Sequence, residues 1–271
     1  KETTVTLKRE EIQLKSVPFY GMIDQNTGYI YLSSFTDKAS KEVKEALVEL
    51  KKDPNLTQII FDLRGNPGGL LNEAVNVSNI FLEKGTEVVS TKGRIKEVDN
   101  VYKTLKPAID TEIPVAILIN RGSASASEIV AGTFKDLDRG IVVGQRSYGK
   151  GLVQQQHPLK YGSQVKITIA KYYTPSGRCI QAINYAERGE DGSVARIPDS
   201  LRTEFKTKNG RSVYDGGGVD PDLEIPEEEA AGILISLVNA GHLFNYAAIF
   251  ASKHPEIAAA GTFTMSDAKY N

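Results

Sequence analysis

The sequence predicts an α/β fold, a parallel sheet with flanking helices, followed by a helical C-terminal extension. Three observations carry that expectation. Short apolar runs alternate with stretches of helical periodicity, as βαβ units do. Two of those runs end in turns rich in glycine or small residues that lead into a helical pattern, Asn66-Pro67-Gly68-Gly69 and Arg121-Gly122-Ser123-Ala124-Ser125. Beyond Pro226 the pattern is helical.

Taken in order, residues 3–16 alternate polar and apolar (Thr3, Val5, Leu7, then Glu11-Ile12-Gln13-Leu14), which predicts a half-buried strand. Gly28-Tyr29-Ile30-Tyr31-Leu32 is aromatic and β-branched, so it reads as a strand. Val43, Ala46, Leu47 and Leu50 then recur at helical spacing. Thr57–Leu63 is a short apolar strand, and Leu70, Ala74, Val77 and Phe81 mark one face of a helix that stops near Gly85. A less regular stretch leads to a strand at Val115–Ile119, a helix after Ser125 and a strand at Ile141-Val142-Val143. Residues 163–182 alternate again and extend a sheet, with Arg178, Cys179 and Ile180 in strand conformation. Pro226 and Glu227-Glu228-Glu229 suit a helix N-terminus, continued by Ile233, Leu234, Leu237 and Val238. A second helical piece holds Leu243, Phe244, Ala247 and Phe250.

Composition narrows the function. With 271 residues, 40% apolar and 25% charged, the chain has the make-up of a globular protein of one large or two modest domains. A net charge of −1 leaves no cationic excess to neutralise phosphates, which argues against a nucleic-acid partner. No apolar run approaches the ~18–20 residues that span a bilayer, so no transmembrane segment is expected. Lys1-Glu2-Thr3-Thr4 opens in polar sequence without a signal-peptide pattern. Cys179 is the single cysteine, which rules out an internal disulfide and favours a packing role over a nucleophilic one. His157, His242 and His254 show no ligand spacing, so neither a zinc site nor any cofactor is expected.

The chemistry is concentrated in two short segments. Asn120-Arg121-Gly122-Ser123-Ala124-Ser125-Ala126-Ser127-Glu128 joins a strand to a helix, which puts a serine where free backbone N–H groups face outward. Lys150 follows Ser125 by 25 residues and sits between Gly149 and Gly151, which suits an amine lodged in a tight, poorly solvated place. Together they suggest a serine nucleophile with a lysine base. A lysine accepts a proton only when neutral, so its ordinary pKa of about 10.4 must fall towards 7–8. Burial achieves this where no carboxylate holds the ammonium. From Arg139 to Ala186 the sequence has no Asp or Glu, which leaves Lys150 without a counter-ion nearby in sequence.

These segments resemble the carboxy-terminal processing proteases, also called tail-specific proteases. The serine block, Tyr148-Gly149-Lys150-Gly151-Leu152-Val153-Gln154, and a third block, Asp62-Leu63-Arg64-Gly65-Asn66-Pro67-Gly68-Gly69, occur in that family's order and spacing, and the likeness covers about residues 17–225. The resemblance implies a crotonase/ClpP-like core and a serine endopeptidase that cleaves proteins near their C-termini. It assigns Ser125 as nucleophile, Lys150 as base and Gln154 as the residue orienting the lysine, with the N–H groups of Gly69 and Ala126 as the oxyanion hole. It implies protein or peptide substrates docked as an added β-strand, possible homo-oligomers, and a periplasmic or other exported, cell-envelope setting. It divides the chain into residues 1–16 as a remnant strand or linker leaving a PDZ domain, 17–225 as protease core and 226–271 as helical extension; the rest of the PDZ domain is outside this sequence.

Each residue also has a plainer reading. Ser125-Ala126-Ser127-Glu128 fits a helix capping box. Ser123 and Ser127 are alternative nucleophiles, and His157 is an alternative base that lacks an acidic neighbour in sequence. Asn66-Pro67-Gly68-Gly69 could be a simple turn, which Asp62 and Arg64 would brace, and Gln154 an ordinary strand residue. A non-proteolytic acyl-binding protein and an inactive scaffold are the competing functions.

Overall fold

The computed structural model describes residues 4–12, 14–227, 230–254 and 256. They divide into two compact units, Lys1–Pro226 and Glu227–Asn271. The first unit is built on a six-stranded sheet. Strand β1 (Phe19–Met22) pairs antiparallel with β2 (Thr27–Tyr31), helix α1 (Ala39–Leu50) follows, and β3 (Gln58–Asp62) lies parallel to β2. Helix α2 (Leu71–Ser78) comes next. Then come β4 (Glu87–Gly93) and β5 (Asn100–Lys103), which leave the main sheet, and β6 (Val115–Ile119), which rejoins it beside β3. Helix α3 (Ala126–Asp136) leads to β7 (Ile141–Gly144), parallel to β6.

A second sheet is formed by β8 (Leu152–Pro158) and β9 (Gln164–Tyr173), added to β4 and β5 in the order β5-β4-β9-β8. Two hairpins follow, β10 (Ile183–Arg188) with β11 (Val194–Arg196) and β12 (Glu204–Lys206) with β13 (Ser212–Tyr214). The short β14 (Leu223–Glu224) then closes the main sheet, parallel to β7. The expected mixed architecture with a parallel sheet is present.

The core explains the order of the layers. In α1, Val43, Ala46, Leu47 and Leu50 are buried, as their spacing predicts. Helix α1 packs on α2 and α2 on α3, while β4 meets both α2 and α3. Helix α3, which meets β7 as well as β4, therefore lies between the main sheet and β4. Every residue of α3 is buried, and its Phe134 meets Phe81 edge-on at 5.7 Å. Its polar side chains are buried with the rest, and Ser127, Glu128, Thr133, Lys135 and Asp136 all find hydrogen-bond partners there.

Several expectations need correction. The alternation in residues 3–16 does not make a strand: residues 4–12 and 14–16 carry no ladder, and Val5, Leu7, Ile12 and Leu14 are exposed. Alternation makes a strand only where a neighbour supplies hydrogen bonds, and here pairing begins at Phe19. Thr3 and Gln13 lie outside the described residues. The predicted helix through Phe81 ends at Ser78, and Phe81 is buried in the turn that follows. The less regular stretch before Val115 contains β4 and β5.

The strand expected through Cys179 and Ile180 stops at Tyr173. Thr174-Pro175-Ser176-Gly177 reverses the chain, with the Gly177 N–H on the Thr174 carbonyl at 2.8 Å, and only a single bridge joins Tyr173 to Cys179. Proline has no N–H to continue a ladder.

The second unit contains α4 (Gly232–Asn239) and α5 (His242–Lys253). The helix expected from Glu227 begins at Gly232; Glu228 and Glu229 lie outside the described residues. Among the described residues no single helix is long and apolar enough to cross a membrane. Helices α4 and α5 reach that length and composition only together, across a 66° bend.

Candidate active site

The serine turn is fastened to the glycine-rich loop by its neighbours. Asn120 Oδ1 accepts the Gly65 and Gly122 N–H groups at 2.8 and 3.0 Å. The Asn66 carbonyl accepts the Ala124 N–H and the Ser127 hydroxyl, both at 3.0 Å. Asn66 itself is buried, donating to the Leu32 carbonyl at 2.8 Å and accepting the Gly68 N–H at 2.9 Å. Two segments separated by more than fifty residues are thus one hydrogen-bonded unit.

The three serines of the turn separate by environment. Ser123 and Ser127 are fully buried, and their hydroxyls donate to the Leu63 and Asn66 carbonyls. Ser125 is half-buried and stands immediately before α3 with φ 57° and ψ −113°. Such backbone is strained for a residue with a Cβ and persists only where the surroundings impose it. Gly68 crosses this turn closely: a Cβ on Gly68 would come within 2.8 Å of Ser125 Cβ.

Glu128 connects this turn to the lysine segment. Its Oε2 accepts the N–H groups of Ser125 and Lys150, both at 2.8 Å. Its Oε1 accepts the Ser147 hydroxyl at 2.5 Å and the Gly149 N–H at 2.7 Å. The carboxyl is buried, and burial pushes its pKa above the usual value, although the four donors pull it back. The contact of Glu128 with Ser125 is the glutamate half of the capping box seen in the sequence.

Lys150 is half-buried on a pocket of about 510 Å³ whose wall includes Pro67, Ala124, Leu152, Gln154 and Ile183. Among the described residues no carboxylate pairs with its ammonium; Glu128 meets its backbone instead. Gly149, at φ +88°, lets the segment pass Ala182: a Cβ there would meet Ala182 Cβ at 2.3 Å. Gln154 is exposed on β8, just after an irregularity in its pairing with β9, and lines the same pocket. No hydrogen bond joins its side chain to that of Lys150 among the described residues.

The two backbone groups expected at the oxyanion hole are placed as follows. Gly69 bridges Phe35 in parallel fashion: Phe35 N–H donates to the Gly68 carbonyl at 3.0 Å and Leu70 N–H to the Phe35 carbonyl at 2.9 Å. That pattern turns the N–H of Gly69 itself away from Phe35. Ala126 is the first residue of α3, so its N–H has no intrahelical acceptor.

Asp62 and Arg64 do brace the loop. The Asp62 carboxylate accepts Arg64 N at 2.8 Å, its Nε at 3.0 Å and its Nη2 at 2.7 Å, and Tyr29 donates to it at 2.5 Å. Burial and that carboxylate raise the Tyr29 phenol to about 12. His157 lies exposed towards the far end of β8, opposite Val165. Cys179 is half-buried, and burial raises its thiol pKa.

Sequence reasoning missed the wider reach of Glu128, the role of Ser147, and Gln181, whose Oε1 accepts the Gly151 N–H at 2.8 Å. It also missed Tyr172, whose hydroxyl donates to the Lys150 carbonyl. Only the capping pattern at Glu128 carried a local signal. Among the described residues no three His, Cys, Asp or Glu side chains converge as metal ligands.

Comparison with known proteins follows the same segments. The profile of peptidase family S41 matches residues 26–187, and that of a probable PDZ-protease C-terminal helical domain matches residues 233–271. The chain is 42% identical over 181 residues to a probable CtpA-like serine protease of Staphylococcus aureus, covering 66% of this chain and 36% of that protein. It is 40% identical over 186 residues to a carboxy-terminal-processing protease of Bartonella bacilliformis, covering 68% and 42%. Among solved structures, a photosystem II D1 C-terminal processing protease superposes with a TM-score of 0.55 at 30% identity, covering 73% of this chain and 42% of that one. The chain thus spans well under half the length of these relatives.

Proposed function

Because this chain belongs to peptidase family S41, a family of serine-type peptidases, we propose that it holds the catalytic core of a carboxy-terminal processing endopeptidase with a Ser125–Lys150 dyad. One observation carries the reading: a single buried oxygen, Glu128 Oε2, accepts both the Ser125 and the Lys150 N–H at 2.8 Å. It brings the two segments together around an accessible serine whose neighbouring hydroxyls are engaged.

In this reading Ser125 Oγ attacks a peptide carbonyl and its proton passes to Lys150 Nζ. The carbonyl oxygen becomes an oxyanion facing the Gly69 and Ala126 N–H groups; losing one such donor typically costs about 10²–10³ in turnover. Lys150 then protonates the departing amine, and water, deprotonated by the same lysine, releases the acyl group. Gln154 steers the ammonium from across the pocket.

The finer attributes rest on the family alone: a crotonase/ClpP-like core in residues 17–225 with an extension at 226–271, cleavage near protein C-termini, and a periplasmic or other cell-envelope setting. Substrates bind as an added β-strand, for which β8 is suited, since β9 covers only one of its edges. Self-association is a further family expectation. Sizing chromatography checks self-association, and fractionation of the source cells checks the compartment.

The dyad is tested with unfolded casein and a fluorophosphonate probe. Ser125→Ala and Lys150→Ala are each expected to abolish cleavage without unfolding the protein, whereas His157→Ala keeps parental activity. Probe labelling that persists in Ser125→Ala, or parental cleavage in Lys150→Ala, would remove the assignment.

A further inference from the structure

Lys150 stands between two glycines, which leave its backbone freer than any other pair of neighbours would. A base that must meet one serine hydroxyl needs that freedom removed. Glu128 removes part of it by holding the peptide N–H on the near side of the Lys150 Cα. The peptide on the far side is held at its carbonyl by Tyr172, whose hydroxyl donates to the Lys150 carbonyl, and at its N–H by Gln181 Oε1, which accepts from Gly151 at 2.8 Å; the Tyr172 backbone N–H donates to the following carbonyl, that of Gly151, at 3.0 Å. With both flanking peptide planes fixed, the direction in which the lysine side chain leaves the backbone is fixed too.

Tyr172 is well placed for this. It lies near the end of β9, in register with Thr91 of β4, and is almost completely buried. Its phenol also lies beside the Ser125 side chain and within the field of the Glu128 carboxylate. Burial first, and that carboxylate second, hold the phenol pKa well above its ordinary value, so it keeps its proton and acts as a donor to Lys150.

We infer that Tyr172 is a positioning residue that aims Lys150 at Ser125 through its hydrogen bond to the lysine's own carbonyl. The inference rests on the Ser125–Lys150 reading and adds the element that makes the lysine segment rigid.

The test is Tyr172→Phe, which removes one oxygen and keeps the ring that fills the core. On casein it is expected to lower kcat about 10- to 100-fold with KM nearly unchanged, as a displaced catalytic group does. Labelling of Ser125 by the fluorophosphonate should slow by a similar factor. The pH profile of kcat should shift, because the surroundings of the lysine change. Rates are taken per folded molecule, quantified by circular dichroism below each variant's Tm. Parental kcat, labelling rate and pH profile overturn the inference, and so does a variant in which only Tm falls. Ser125→Ala and Lys150→Ala run alongside: parental cleavage in either removes the dyad itself, whatever Tyr172→Phe does.

Discussion

At the scale of single residues, the site is organised by a carboxylate that does no chemistry. Glu128 offers only acceptors, and four donors from residues 125, 147, 149 and 150 converge on it. An amide of the same shape would turn an NH₂ group towards two of those donors. Glu128→Gln is therefore expected to destabilise the fold by about 1–3 kcal/mol, the typical cost of leaving buried polar groups unpaired. Turnover should fall about 10²-fold through misplacement of Ser125 and Lys150. Thermal unfolding and casein cleavage check both effects, and a Gln variant equal to the parent would show that the junction is not needed. The sequence displayed Glu128 as a capping residue because Ser125 is three positions away. Ser147, Gly149 and Lys150 are separated from it by the rest of α3 and by β7, so their convergence left no local pattern.

At the scale of elements, β14 has two residues and joins the main sheet only through β7. Asp222, just before it, compensates. Its Oδ2 accepts the Val142 N–H at 2.8 Å, and its Oδ1 pairs with Lys135 at 3.1 Å and Arg211 at 2.6 Å. Burial opposes the charge, but the Val142 N–H and the two cations prevail and hold the carboxyl below its ordinary range. A depressed folded pKa stabilises the fold above the unfolded value of about 3.9, and that contribution is lost as pH falls through the folded value. Asp222→Asn is thus expected to unfold earlier than the parent at neutral pH, by about 1–2 kcal/mol after allowance for partial exposure. The gap should narrow as pH drops below about 4. Melting curves across that range decide it, since a gap independent of pH would show that the carboxylate's charge is not what anchors β14. No sequence pattern announces β14, because two residues cannot show a period.

At the scale of the whole molecule, residues 1–271 correspond to about two fifths of the related processing proteases. Within them, residues 4–12, 14 and 15 are exposed and carry no ladder. By itself the 271-residue chain is expected to cleave casein weakly and with little regard for the last residues of a substrate. Joining a PDZ domain ahead of residue 17 should raise kcat/KM for substrates with a preferred tail, by supplying a docking site and so lowering KM. Peptides differing only in their final residues, assayed with both proteins, measure this. Equal kcat/KM and equal preference in the two would show that tail reading resides in the core.

The sequence alone determined the elements whose information is local. The spacing of Val43, Ala46, Leu47 and Leu50 identified α1, the apolar run Val115–Ile119 identified a strand, and three motif blocks identified the family. Each depends on residues a few positions apart, whose side chains share a face whatever the rest of the chain does. Tertiary structure decided what depends on distant partners. It withheld a strand from residues 4–12 for want of a neighbour and assembled β4, β5, β8 and β9 into a second sheet. It also buried Ser123 and Ser127 while leaving Ser125 accessible. The physical reason is that hydrogen bonds and burial are satisfied by whichever group arrives in space. Asn66, Glu128 and Tyr172 are met by residues 34 to 61 and, for the last two, 22 positions away.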